Sequence, residues 1–283
     1  MNKESKKATL LGIYGNLVLF ILKIIVGVMY NSIAVISDSF NSFTDIIASI
    51  IVYISVKISG KSADKEHPFG HHRAEPIAGL IVAIFTGILG FTIINIAFSR
   101  LLSGSMIVIS IAPIIVMVIT LFMKYGMYLY TIKIGNKLKS TAILASAVDH
   151  RNDVLVSVAA LIGVSGAYMG YKFLDPLAAL IIGIWIIKAG YNIGKNNIRF
   201  LIGESPSQEL LKTIKEKALS IKGVKSIHDV RAHYVGVLLH VEVHILVDRK
   251  LTIYKAHVIG EKVAKELEKL EEVNRAFVNI DTK

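Results

Sequence analysis

Six stretches of this chain stay mainly apolar for at least the roughly 20 residues that a helix needs to cross a bilayer. They run 9–30, 33–57, 76–99, 106–131, 141–167 and 174–196. In lipid every backbone N–H and C=O must find its partner inside the protein, so runs of this kind have few outcomes besides a helical bundle. From Glu204 onward the text turns charged and mixed. The pattern predicts an α-helical membrane protein with six transmembrane helices over residues 1–203, and a soluble C-terminal domain over residues 204–283. The first run reads as a span rather than a cleaved leader, because no small-residue cleavage site follows it.

Lysine and arginine orient the bundle. Lys3, Lys6 and Lys7 precede the first span, and Lys57, Lys61, Lys65 and Arg73 lie between the second and third. Lys133, Lys137 and Lys139 lie between the fourth and fifth, and Lys195 and Arg199 close the sixth. The alternate loops carry only Arg100 and Lys172. Both termini are therefore expected on the cytoplasmic side of the cell (inner) membrane. The same clustering accounts for the net charge of +11; no basic patch interleaves with aromatics, so no nucleic-acid partner is expected. Cysteine is absent, which confines metal chemistry to histidine, carboxylate and amide ligands. Asp175-Pro176 reads as the opening of the sixth helix, with Asp as cap and Pro in the first turn.

The first 200 residues hold nine acidic side chains, and Asp38, Asp45, Asp149 and Asp153 fall within just two spans. A carboxylate near the bilayer centre costs at least ~3 kcal/mol, so such residues face an interior, pair, or bind something. Residues i and i+4 share a helical face. Asn41 and Asp45 stack on span two, as Asp149 and Asp153 do on span five. Two such faces brought together make four oxygen ligands, three of them anionic, suited to a divalent cation. The alternative is that these aspartates pair with Lys23, Lys124 or Arg151, or cap helix ends. Asp38 divides evenly between a structural role and a part in the site. Asn16 and Lys23 read as packing or charge-balancing groups, and His150, one residue past Asp149, is turned about 100° away from the site.

The loop after span two reads ADKEHPFGHHRAE, Ala63 to Glu75. Asp64, His67 and His71 are spaced to converge on one ion, with Glu66 and His72 as competitors and a plain solvated loop as the alternative.

These motifs together resemble the cation diffusion facilitator family of divalent-metal/proton antiporters, over essentially the whole chain. The helix-two pattern D-x-x-(H/D/N)-x-x-x-D is met by Asp38, Asn41 and Asp45. The helix-five pattern (H/D)-x-x-x-D is met by Asp149 and Asp153, and the loop pattern by DKEHPFGHHRAE. The resemblance implies six transmembrane helices and a cytoplasmic dimerisation domain. Zinc transporters of the family generally place histidine at one or both variable positions; Asn41 with Asp149 looks like the manganese-type branch. Carboxylate and carbonyl oxygens also suit Mn2+ better than Zn2+ on chemical grounds. Many relatives carry LLD before the soluble domain, where the acid pairs with the loop's basic residue, here Arg73. This chain reads FLIGESPS, with Ile202 or Gly203 in place of the acid.

In the tail, SPSQELLKTIKEKALSIKGV reads as an amphipathic helix running to Gly223, and VKSIHDVRAHYVG and VLLHVEVHILVD as strands. A helix over about Thr252 to Leu270 and a last strand, RAFVNID, complete an αββαβ order that fits a ferredoxin-like α+β domain. The resemblance places regulatory metal at His228, His244, His257 and Asp281, with Asn279 where a last histidine often stands. Surface histidines without a ligand are the alternative.

The expected function is a homodimeric exporter of Mn2+ from the cytoplasm in exchange for protons, with Zn2+, Fe2+, Co2+ or Cd2+ as other cargo. Metal is substrate and regulator; no catalytic residue or catalytic cofactor is implied. The rival readings are a membrane metal sensor or scaffold, and a membrane metallohydrolase, for which the four-ligand set leaves little open coordination.

Overall fold

The computed structural model describes residues 3–59, 61–104, 108–138 and 141–282. Among them, six long helices precede the tail: α1 (Lys3–Met29), α2 (Ile33–Ser59), α3 (Ala74–Ser103), α4 (Ala112–Leu138), α5 (Thr141–Tyr168) and α6 (Leu174–Ile202). The tail runs α7 (Gln208–Leu219), β1 (Ser226–Val235), β2 (Leu238–Val247), α8 (Ile253–Leu267) and β3 (Val273–Thr282), the expected αββαβ order. Two compact units result: one from residues up to Ile51 and from Ile81 to Gly194, the other from Val52–Leu80 and Lys195–Lys283.

Four of the long helices contain segments apolar and long enough to cross a membrane: Leu10–Met29, Ala74–Ser103, Ala112–Lys137 and Leu174–Ile202. The other two, α2 and α5, are the helices that carry the four aspartates. The fourth helix starts and ends later than the apolar run suggests. Ser110 Oγ accepts from the Ala112 N–H at 3.2 Å, and Pro113 fits the first turn, where a missing N–H costs nothing. Met106 and Ile107, at the head of the expected span, lie outside the described residues, as does Lys139.

The bundle closes on a core of Ala34, Val35, Ile93, Met117, Val156, Ala160, Val164, Ala178, Ile182 and Ile186, contributed by five of the helices. Phe85, Ile88, Phe91 and Phe122 point outward and are 60% to 70% exposed; for a folded chain this is an apolar exterior of the kind that lipid covers. Helices α3 and α6 approach closely where glycines meet: a Cβ on Gly90 would lie 3.0 Å from the Gly183 carbonyl oxygen.

Asp175 corrects an expectation. Helix α6 begins at Leu174, so Asp175 already lies in its first turn and does not cap it. Its carboxylate instead accepts from Ser32 Oγ at 2.5 Å, Ile33 N at 2.8 Å and Ala34 N at 3.4 Å. It thereby satisfies the orphan N–H groups that open α2. This fixes the start of the helix that carries Asn41 and Asp45.

In the tail, β1 and β2 form an antiparallel hairpin, turned at Gly236 with φ of 72°. The α8 crossover sets β3 parallel to β2, giving the order β1-β2-β3 and a ferredoxin-like arrangement. The alternation of β2 puts Leu239, Val241, Val243 and Ile245 wholly inside, against Ile214 and Ala218 of α7 and Val263 and Leu267 of α8. Ser207 and Thr252 cap α7 and α8 through their hydroxyls. Helix α7 stops at Leu219, short of the expected Gly223, whose φ of 107° belongs to the turn that follows.

Candidate metal centre

Asn41 and Asp45 stand one turn apart on α2, and Asp149 and Asp153 one turn apart on α5. The structure brings three of the four together. Asn41 Nδ2 donates to Asp153 Oδ1 at 2.8 Å. The other oxygen of Asp153 accepts from Lys124 Nζ, which reaches in from α4, at 2.5 Å. The same ammonium lies 3.3 Å from Asp45 Oδ2 and donates to Asn16 Oδ1 of α1 at 2.7 Å. Lys124 is 1% exposed and Asn16 5%, so this is a buried cation partnered by donor oxygens. Such pairing is what a buried charge requires. Asp149 keeps an accessible side chain, and Asp45, Asp149 and Asp153 do not close into a three-ligand cluster among the described residues.

Asp38 belongs to a separate, saturated pair. Lys23 Nζ donates to its carbonyl and to Oδ2, each at 2.7 Å, and to Ser42 Oγ at 2.8 Å. Ser157 Oγ takes Oδ1 at 3.3 Å. Both side chains are buried, and both carboxylate oxygens of Asp38 are engaged away from Asp45 and Asp153.

His150 departs from the expectation that it faces away. It is buried, and its Nδ1 lies 3.9 Å from Asp153 Oδ2 with no hydrogen-bond partner among the described residues. The reason is geometric. Turned from Asp149 by one residue, it is nevertheless at i, i+3 to Asp153, and residues three apart are helix neighbours.

In the loop, the three expected residues converge. Asp64 Oδ1 lies 3.1 Å from His67 Nδ1, and Oδ2 lies 3.3 Å from His71 Nε2. Asp64 Oδ1 also accepts from the backbone N–H of His67 at 2.6 Å and of Glu66 at 3.0 Å, an Asx turn that fixes the loop. The His67 N–H bond is the chief reason its carboxyl is held below the usual carboxylate range. His71 Nδ1 is buried without a partner among the described residues. Glu66 and His72 stand outside the cluster. After α6 the first acid, Glu204, pairs with Arg199, which holds its carboxyl below the ordinary range.

The tail groups three of its four expected residues. Asp281 Oδ2 lies 3.1 Å from His228 Nε2 and 3.3 Å from His244 Nδ1. Asn279 Nδ2 sits 3.1 Å from His244 Nε2 and donates to Glu242 Oε1 at 2.8 Å, so the register of β2 with β3 builds the site. His257 is apart, exposed on α8 and 3.7 Å from Glu261 of the next turn. A sequence slot on a helix says nothing of the face it lands on, and this face turns from the sheet.

Two family models match. One described as the cation efflux transmembrane domain covers residues 9–202, and one described as the cation efflux protein cytoplasmic domain covers residues 206–283. A transporter of Methanocaldococcus jannaschii is 35% identical over 99% of this chain and 99% of its own length. Two Bacillus subtilis proteins described as manganese efflux system proteins, MneS and MneP, are 29% and 30% identical, over 99% and 98% of this chain and 96% of each.

Proposed function

The chain belongs to the cation efflux family of membrane transporters, the cation diffusion facilitators, and on that premise we propose that it exports Mn2+ from the cytoplasm in exchange for protons. The observation that carries this reading is the all-oxygen donor set that α2 and α5 hold inside a transport domain: Asn41 and Asp45 beside Asp153, with Asp149 one turn away. Hard oxygen donors favour Mn2+ over metals that seek imidazole or thiolate. The manganese efflux proteins at about 30% identity support the same cargo. Metal ligands must be deprotonated, so loading releases protons and protonation expels metal, which supplies the exchange.

All six long helices cross the membrane in this reading, with both termini cytoplasmic. The chain works as a homodimer through its tail, where His228, His244 and Asp281 bind regulatory metal and favour one tail arrangement by differential affinity. Asp64, His67 and His71 form a second cytoplasmic site. One observation favours other cargo: the unpartnered, buried Nδ1 of His150 beside Asp153 offers a nitrogen ligand, which Zn2+, Fe2+, Co2+ or Cd2+ would use. The deciding experiment is a competition flux assay in inverted vesicles across an imposed pH gradient. Mn2+ uptake that collapses with the gradient and resists excess Zn2+ supports the proposal; uptake of Zn2+ in preference to Mn2+ overturns the cargo.

A further inference from the structure

Among the described residues, the two buried lysines of the bundle, Lys23 and Lys124, are partnered in different ways. Lys23 holds Asp38, whose oxygens are all engaged and which contributes nothing to the donor set. Lys124 does the opposite. Its ammonium rests on Asp153 at 2.5 Å and beside Asp45 at 3.3 Å, the two carboxylates that a transported cation needs. Its remaining close contact is neutral, Asn16 Oδ1 at 2.7 Å.

A divalent ion and an ammonium cannot share those oxygens. Like charges a few ångströms apart in a poorly screened interior repel strongly, and a lysine has no lone pair to offer while it is charged. Without Lys124, however, the empty site would leave two carboxylates without a counter-charge in the bundle, at the cost that any intramembrane anion carries. A flexible four-carbon stem lets the head group move without the helix moving, and Asn16 is an acceptor that needs no charge to hold it.

We propose that Lys124 is a tethered internal cation that occupies the transport carboxylates while the site is empty and is pushed onto Asn16 when metal enters. The inference rests on the reading of Asn41, Asp45, Asp149 and Asp153 as the transport site. It makes Lys124 a positioning residue that never ligates the metal. Lys124 weakens metal binding, and it speeds release by returning to Asp153 as the ion leaves. It also keeps the empty carrier's charge compensated while it reorients.

The test is Mn2+ titration by calorimetry of the purified full-length protein at fixed pH, reading the component of binding that Asp153→Ala removes, together with Mn2+ flux in vesicles. Lys124→Gln is expected to bind Mn2+ at that site about tenfold tighter or more, from the loss of the repulsion, while its flux falls. A residue with a purely structural role would shift affinity the other way. Equal or weaker binding in Lys124→Gln overturns the proposal. Asn16→Ala keeps the charge but removes the acceptor, so it is expected to weaken Mn2+ binding; unchanged affinity there overturns the proposal even where Lys124→Gln does not fold. A wild-type protein with no Asp153-dependent Mn2+ binding removes the site reading itself, a result distinct from tight wild-type binding that Lys124→Gln fails to improve.

Discussion

Asn41 Nδ2 donates to Asp153 Oδ1 across α2 and α5 at 2.8 Å. The amide therefore turns its donor toward the carboxylate and its carbonyl oxygen elsewhere. In the proposed transport site a metal would take the carbonyl oxygen, and loading would then require the Asn41 amide to rotate by about half a turn about its last torsion. That is a side-chain motion alone, which a broad, roughly two-fold torsion permits at little cost.

If Asp45 and Asp153 are ligands, truncating either removes an anionic oxygen and strands Lys124. Asp45→Ala and Asp153→Ala are each expected to lower Mn2+ flux into inverted vesicles by about 100-fold or more, at least the effect of losing a supporting residue at a metal site. Flux within a few-fold of wild type would remove these residues from the site.

Cargo choice should follow the two variable positions. Asn41→His with Asp149→His adds two imidazoles to the donor set, which suits Zn2+. The double variant is expected to lose competition by Mn2+ and gain Zn2+ uptake in a two-metal flux assay. An unchanged preference would place selectivity elsewhere, with His150 the nearest unassigned donor.

Much of this arrangement is legible in the sequence because it is local. Apolar runs mark the long helices, four of them apolar enough to cross a membrane, alternation marks β2, and i, i+4 spacing pairs Asn41 with Asp45 and Asp149 with Asp153. What escapes are contacts between helices, which no periodicity records. Asp175 looks like the cap of its own helix, yet it caps α2 from 142 residues away in sequence. Lys124 is visible as a cation in an apolar run, but its place between Asp45 and Asp153 depends on how α4 packs. His257 and His150 mislead for a related reason: a position on a helix does not reveal which neighbour the face meets, nor that i, i+3 can matter more than i, i+1.

The Lys23–Asp38 pair yields a stability prediction with no bearing on cargo. Removing one partner of a buried pair leaves an uncompensated charge, at a cost of about 3–5 kcal/mol. Asp38→Leu is expected to lower the thermal midpoint of the purified protein sharply, and Lys23→Met with Asp38→Leu to recover most of it. Equal loss in the single and double variants would mean that packing, rather than charge, explains the pair.

The tail site separates two histidines that the sequence treats alike. His228 lies 3.1 Å from Asp281, whereas His257 pairs within its own helix, with Glu261 at 3.7 Å. Added Mn2+ is expected to slow hydrogen exchange of the β1 and β3 amides in the full-length protein. His228→Ala should abolish that protection and His257→Ala should leave it intact. Loss of protection in His257→Ala would require α8 to supply a ligand that this arrangement keeps apart.

His240 gives the tail a pH dependence of definite sign. It is buried on β2, with Phe69 and Phe277 rings 5.3 Å and 5.7 Å away. Burial, then the charges of His233, Arg275, His72 and Arg73, push its pKa below the ordinary histidine value. Asn274 Nδ2 lies 3.3 Å from its Nε2, a contact that suits the neutral ring as acceptor. Because the folded value lies below the unfolded one, near 6.5, the unfolded chain binds the proton more readily. Stability is therefore fully present above about pH 6.5 and is lost as pH falls through the folded value. Hydrogen exchange of the β2 amides in the full-length protein should accelerate across that acidic window. His240→Phe, which keeps an aromatic ring and removes the titrating group, should flatten the response. A wild-type profile that is flat from pH 7 to pH 5 would show that the ring accepts its proton without cost.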